Sequence, residues 1–243
     1  MSPAVWMNRQ VAWTTEPVAA LRAVFAAALP SALAPTLTAI LLIFAGTICA
    51  ADITREQALK QLTSRDATAR FAAVKRLHDI GRTRDANALA KLLFDEDEDN
   101  RAAAEAAMWA AWSRSGDAQI DALFKKGVAQ MNAADGEAAL ASFTEVIRKK
   151  PDFAEGWNKR ATVYFFMKRF KESLADCDEV IKRNPIHFGA LSGYGQIYAQ
   201  MEEFDKALDY FERAIAINPN MAGVAQNIIA LRKLRAARER RAI

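Results

Sequence analysis

The residues able to do chemistry are few in this chain, and their spacing rules out most of what they could do. The histidines are His78 and His187, and neither has a second ligand three or four residues away, where a helix would aim both at one metal ion. Asp95-Glu96-Asp97-Glu98-Asp99 offers carboxylates at alternate positions, as a calcium-binding loop begins. Asn100 then stands where such a loop turns on glycine, and Ala106 where a bidentate carboxylate closes it. The acidic run is therefore expected to favour the positive end of the helix that follows. Cys49 and Cys177 are the two cysteines, and Cys177, on an apolar helix face, is expected to be a buried, inert thiol. Glycine-rich phosphate loops, a Gly-x-Ser-x-Gly elbow and a His-Glu-x-x-His helix are all absent. The sequence thus offers no catalytic group, no cofactor loop and no metal-ligand set. The expectation is a protein that is not an enzyme.

Composition narrows the scaffold. The chain has 243 residues, 52% of them hydrophobic, with only seven prolines and ten glycines, and it favours an all-helical fold with a substantial core. Its 33 basic and 29 acidic residues leave a formal charge of +4, too balanced to imply nucleic-acid binding.

Pro151, Pro185 and Pro219 fall 34 residues apart, and matching positions precede each one. The first unit has Leu123, Gly127, Gln130, Ala139, Phe143 and Val146. The second has Trp157, Ala161, Tyr164, Ser173, Cys177 and Val180. The third has Leu191, Gly195, Tyr198, Ala207, Phe211 and Ala214. Three- and four-residue spacings put these on single helix faces. Gly127, Ala161 and Gly195 would let two helices approach closely, as would Ala139, Ser173 and Ala207. Each proline ends a helix, since it lacks the amide donor and clashes with the preceding turn. A fixed period of this length predicts stacked helical hairpins.

The pattern resembles the tetratricopeptide repeat (TPR) family, with Lys126, Arg160, Gln130 and Cys177 departing from its usual residues. Upstream, Asp66–Ala73 aligns with Asp97–Ala104 at an offset of 31 residues and resembles short HEAT repeats. Arg70 and Arg101 are expected to pair with Asp66 and Asp97, Thr54 and Gln57 to form a capping box, and Trp109 and Trp112 to pack between repeats. The expected fold is an all-α, right-handed α–α superhelix. HEAT-like repeats (52–118) would run into three TPRs (119–219) through a shared helix near 120–131. A capping helix (220–243) would follow, with Val224, Ile228, Ile229, Leu231 and Leu234 on its apolar face and a basic, solvated tip.

Residues 1–51 read as a signal peptide or membrane anchor. The apolar run from Thr36 to Ile48 has signal-peptide length, and Cys49-Ala50-Ala51 suits cleavage. This predicts export to a bacterial periplasm, or an inner-membrane anchor facing it, with membrane contact through this segment. The TPR resemblance implies a concave groove that binds a peptide or partner helix. Its lining positions here are Phe124, Val128 and Asn132, then Asn158, Thr162 and Phe165, then Ser192, Gln196 and Gln200. Amides and hydroxyls would meet a peptide backbone, and the phenylalanines would offer apolar pockets. The cationic cluster with which some TPRs hold a C-terminal carboxylate is incomplete, because only Lys125, Asn158 and Lys159 match it while Ser192 and Gly193 do not. The predicted role is a protein-binding scaffold, with a membrane-anchored assembly scaffold as the alternative.

Overall fold

The computed structural model describes residues 53–241. The expected leader, its apolar run and its cleavage site lie outside the described residues. Among the described residues there are no strands, and eleven α-helices follow one another. They are α1 (Arg55–Gln61), α2 (Ala67–Ile80), α3 (Ala86–Ala90), α4 (Glu98–Trp112), α5 (Ala118–Asn132), α6 (Gly136–Lys149), α7 (Ala154–Phe166), α8 (Phe170–Arg183), α9 (Phe188–Gln200), α10 (Phe204–Ile217) and α11 (Ala222–Arg241). Short 3-10 turns flank α3. None of the described helices is long and apolar enough to cross a membrane.

From α5 onward the helices pair as antiparallel hairpins, α5 with α6, α7 with α8 and α9 with α10, and each hairpin packs on the next in an α–α superhelix. Size matching explains the pairing. A Cβ added to Gly127 would come within 2.7 Å of the Phe143 ring, and one added to Gly195 within 2.5 Å of the Phe211 ring. The middle hairpin departs from this in a compensated way. Ala161 brings a methyl group where the others have none, and the smaller Cys177 takes the phenylalanine's place. Both are buried in one cluster with Tyr194 and Ile197. Burial raises the Cys177 thiol pKa well above its ordinary value, so the thiol stays protonated.

The turn inside each hairpin repeats as well. Ala134, Lys168 and Glu202 all adopt positive φ near 60°. The following amides bond back across each turn, Asp135 to Gln130 O, Arg169 to Tyr164 O and Glu203 to Tyr198 O. This is a left-handed helix ending in a place where glycine is usual. The departure at Arg160 is explained by its partners. Its guanidinium holds both oxygens of Asp176 at 2.8 Å and reaches Thr144 in the previous hairpin at 3.1 Å.

Helix α11 covers the last hairpin, burying Val224, Ile228 and Leu231 against Ala207, Leu208 and Phe211. Ile229 and Leu234 were expected on this face but are about half exposed, at 48% and 52%. Ile229 falls where the hairpins have Gly127, Ala161 and Gly195. The basic end is not a bare tip. Arg232 bonds Glu212 at 2.7 Å, Arg235 bonds Asp205 at 3.0 Å, and Arg238 bonds Glu202.

In the N-terminal part the Thr54–Gln57 capping box forms as expected. Asp66 and Asp97 do not pair with the arginines, because each caps its own helix by accepting a backbone N–H, from Thr68 and Asn100 respectively. The arginines instead fold back along the chain at the predicted 31-residue offset. Arg70 donates to Ser64 O and Arg65 O, and Arg101 to Asp95 O and Glu96 O. Arg70 also clamps the Asp95 carboxylate at 2.6 and 2.7 Å. That hydrogen bond holds the Asp95 carboxyl below the usual carboxylate range.

Helix α4 packs chiefly along α2. The chain turns at 113–117, and α4 is left to pack against turns far downstream.

Candidate partner-binding groove

Those downstream turns belong to the starts of α9 and α11. Trp112 stacks on His187 with ring centres 4.3 Å apart, and Trp109 meets Phe188 edge-on at 5.2 Å. Ile186, Ile217 and Met221 pack into the same cluster as the N-terminal core. Away from the aromatic rings, Asn220 donates to Leu93 O at 2.9 Å and accepts from Arg101 at 3.2 Å.

Glu155 on the first turn of α7 lies beneath this joint, fully buried with His187. The Ala190 amide donates to His187 Nδ1 at 3.1 Å, which assigns the ring proton to Nε2. Nε2 then donates to Glu155 Oε2 at 2.9 Å. Asn158 donates to the same oxygen at 3.1 Å, and the Lys159 ammonium lies 3.2 Å from the other. Burial alone would push the Glu155 carboxyl upward. The Lys159 charge and the His187 N–H outweigh it and hold the group below the ordinary carboxylate range.

This arrangement divides the nine expected groove residues. Phe124 is buried between Phe143 and Phe153, Asn158 is buried and committed to Glu155, and Ser192 is buried and accepts from Gln196 at 3.3 Å. These three are buried within the fold rather than open to solvent. All sit on the first two turns of α5, α7 and α9, the rim nearest the turns between hairpins. Val128, Thr162, Phe165 and Gln196 are half-buried, and Asn132 and Gln200 are exposed. These six lie in the later parts of the same three helices and form an open rim. Thr162 bonds back to Asn158 O at 2.9 Å, while Phe165 leans on Phe166 and Phe170. No charged side chain occurs among the six. Among the described residues no three His, Cys, Asp or Glu side chains converge as a metal site would need.

Glu155, His187 and Asn220 were not singled out from sequence as site residues. One signal was available for His187. It follows Pro185 by two residues, where the other units have Phe153 and Met221, so a polar ring replaces an apolar one.

Tetratricopeptide repeat models match residues 121–152, 154–187 and 190–221. Residues 121–221 carry three tetratricopeptide repeats.

A TPR repeat-containing protein of Rhizobium etli is 37% identical over 108 residues, which is 44% of this chain and 53% of that protein. Hsp70-Hsp90 organizing protein 1 of Glycine max is 28% identical over 82 residues, 34% of this chain and 14% of that one. The chain thus spans about half of the first relative and far less of the second. Among solved structures, the first TPR of Spaghetti (RPAP3) bound to HSP90 peptide SRMEEVD is 21% identical, covering 49% of this chain and 96% of its own, with a TM-score of 0.48. MamA is 18% identical, covering 72% of this chain and 88% of its own, with a TM-score of 0.47.

Proposed function

We propose that this chain is a non-enzymatic interaction module that holds an extended peptide or short helix of a partner protein along the open rim of its TPR groove. The observation that carries this reading is the uncharged strip of Val128, Asn132, Thr162, Phe165, Gln196 and Gln200, with Phe166 beside it 41% exposed. Amide side chains there can bond a peptide backbone, and the two phenylalanines offer an apolar seat for its side chains. The lining favours a neutral, apolar segment. Specificity for an acidic C-terminal peptide is not carried over, since Asn158 and Lys159 are both committed to Glu155 and Ser192 and Gly193 bring no cation. Nucleic acid is not the partner in this reading. The module works after export to a bacterial periplasm, which the leader-like residues 1–51 support, and the 31-residue offset supports HEAT-like character for the N-terminal helices.

Selection of random peptides displayed against the full chain tests the binding reading. The expected result is enrichment of neutral, aromatic-containing sequences, lost when Phe165→Ala and Gln196→Ala are combined. Enrichment that ignores both changes, or that demands an acidic C-terminus, would overturn it. The export reading is tested separately by the size of the chain after expression with its leader.

A further inference from the structure

The N-terminal helices are joined to the repeats by one short turn, and the bonds change sides within it. Arg114 is fastened to the N-terminal part, donating to Gly81 O at 3.1 Å and to His78 O at 2.9 Å. Ser115 is fastened to the other side, its amide donating to Asp121 Oδ1 at 2.7 Å. Gly116 follows with φ +81°, and a Cβ there would meet nothing within 4 Å. A glycine in open space with left-handed backbone is a pivot that packing does not lock.

The joint that this pivot serves is polar as well as aromatic. Trp112 Nε1, Glu155 Oε1 and Asn184 Nδ2 are buried without a hydrogen-bond partner, and all three residues line one cleft of about 180 Å³ between the N-terminal helices and the array. Lys159 offsets the Glu155 oxygen by its charge at 3.2 Å, whereas the two N–H groups gain nothing comparable. These donors can bond water when the joint opens, so parting it costs less than parting an apolar interface of the same size. The hairpins differ in this respect. Ser173, buried between α7 and α8, donates to Ala161 O at 2.7 Å.

The joint also covers groove positions. Helix α9 can approach Trp109 so closely because residue 189 is glycine, where any Cβ would overlap the indole. The Lys159 ammonium lies over the other face of the joint, 5.7 Å from the Trp109 ring centre.

We propose that residues 53–112 are a hinged cover over the loop-side rim of the groove, pivoting at Gly116 and latched by Trp109 and Trp112 on His187 and Phe188. When the cover lifts, Glu155, Asn158, Lys159 and His187 become a second, charged section of the same groove. A partner reaching that section competes with the chain's own tryptophans. The occupant that it accepts in their place is a helix bearing two aromatic side chains three residues apart, since α4 meets the rim in that way. The cover does not depend on whether the open rim binds a peptide.

Hydroxyl-radical footprinting of the full chain tests the cover. Asn220→Ala removes the latch bonds to Leu93 and Arg101, three helical turns from Trp112 along α4. Gly189→Leu places a branched side chain into the Trp109 ring. Each is expected to raise the modification rates of Trp112 and Phe188 at least fivefold while those of Phe143 and Phe211, inside the hairpins, stay unchanged. If all four rates rise together, or if neither variant moves Trp112 and Phe188, the cover is fixed core and the proposal fails. Peptide selection at the open rim is unaffected by either result, so the two readings fail separately.

Discussion

In the first and third hairpins a large side chain meets a glycine, as Phe143 meets Gly127 and Phe211 meets Gly195, and in the middle one Cys177 meets Ala161. At the joint, Arg101 reaches Asn220 across 119 residues, and an aromatic stack is mixed with buried donors that have no acceptor. The first region is a periodic core in which each hairpin repeats its neighbour's solution. The second is a joint made once, between the N-terminal helices and the repeat array. Periodic packing recurs along the array, while the one-off polar joint is the contact proposed to open. The two differ in polar satisfaction, one of the properties that influence which parts of a fold open first.

The comparison can be broken at several strengths. Phe211→Ala empties the space over Gly195 in a core position with 1% exposure and is expected to cost about 4 kcal/mol. Thermal unfolding should then show the array destabilised. A loss below about 1 kcal/mol would mean that the hairpins are not held by size matching. Arg70→Met leaves the Asp95 carboxylate, 7% exposed, without its bidentate partner. A loss of stability is expected, smaller than for a fully buried pair because water reaches the guanidinium. It should appear in denaturant unfolding of the N-terminal helices, with the repeats unaffected.

Glu155→Gln is expected to cost about 1–2 kcal/mol at neutral pH, since the Lys159 ammonium loses its counter-charge. The pH dependence gives the sharper result. The Glu155 carboxyl is depressed in the folded state, so its stabilisation is complete above its unfolded pKa near 4.3 and drains away as pH falls below that. Melting temperatures of the wild-type chain and Glu155→Gln should therefore converge on acidification from pH 6 to pH 3. A constant gap would show that the charge is not responsible. The smallest effect is a gain. Lys168→Gly relieves a left-handed residue and should add about 0.5 kcal/mol, the relief being partly offset by the greater freedom of glycine in the unfolded chain.

The array was legible in the sequence because its contacts are short-range and recur. Three prolines, three small residues and their large partners state the hairpin three times. The 31-residue offset was equally visible, yet the partners of Arg70 and Arg101 were not. A helix-surface rule suggests a carboxylate four residues away, but Asp66 and Asp97 were already spent on capping. Of the expected groove positions, Val128, Asn132, Thr162, Phe165, Gln196 and Gln200 are at least partly open to solvent. Phe124, Asn158 and Ser192 occupy lining positions by register, and nothing local reveals that Phe124 packs between Phe143 and Phe153 or that Asn158 is bound to the buried Glu155. His187 was the nearest thing to a warning, as the polar member of an otherwise apolar set.

The open, uncharged rim is the place proposed to bind a partner. Hydrogen–deuterium exchange of the full chain, with and without a peptide taken from the display selection, measures this directly. Slower exchange confined to the later parts of α5, α7 and α9, around Val128, Phe165 and Gln196, is the predicted result. Protection that falls instead on α6, α8 and α10, on the outer side of the hairpins, would contradict it.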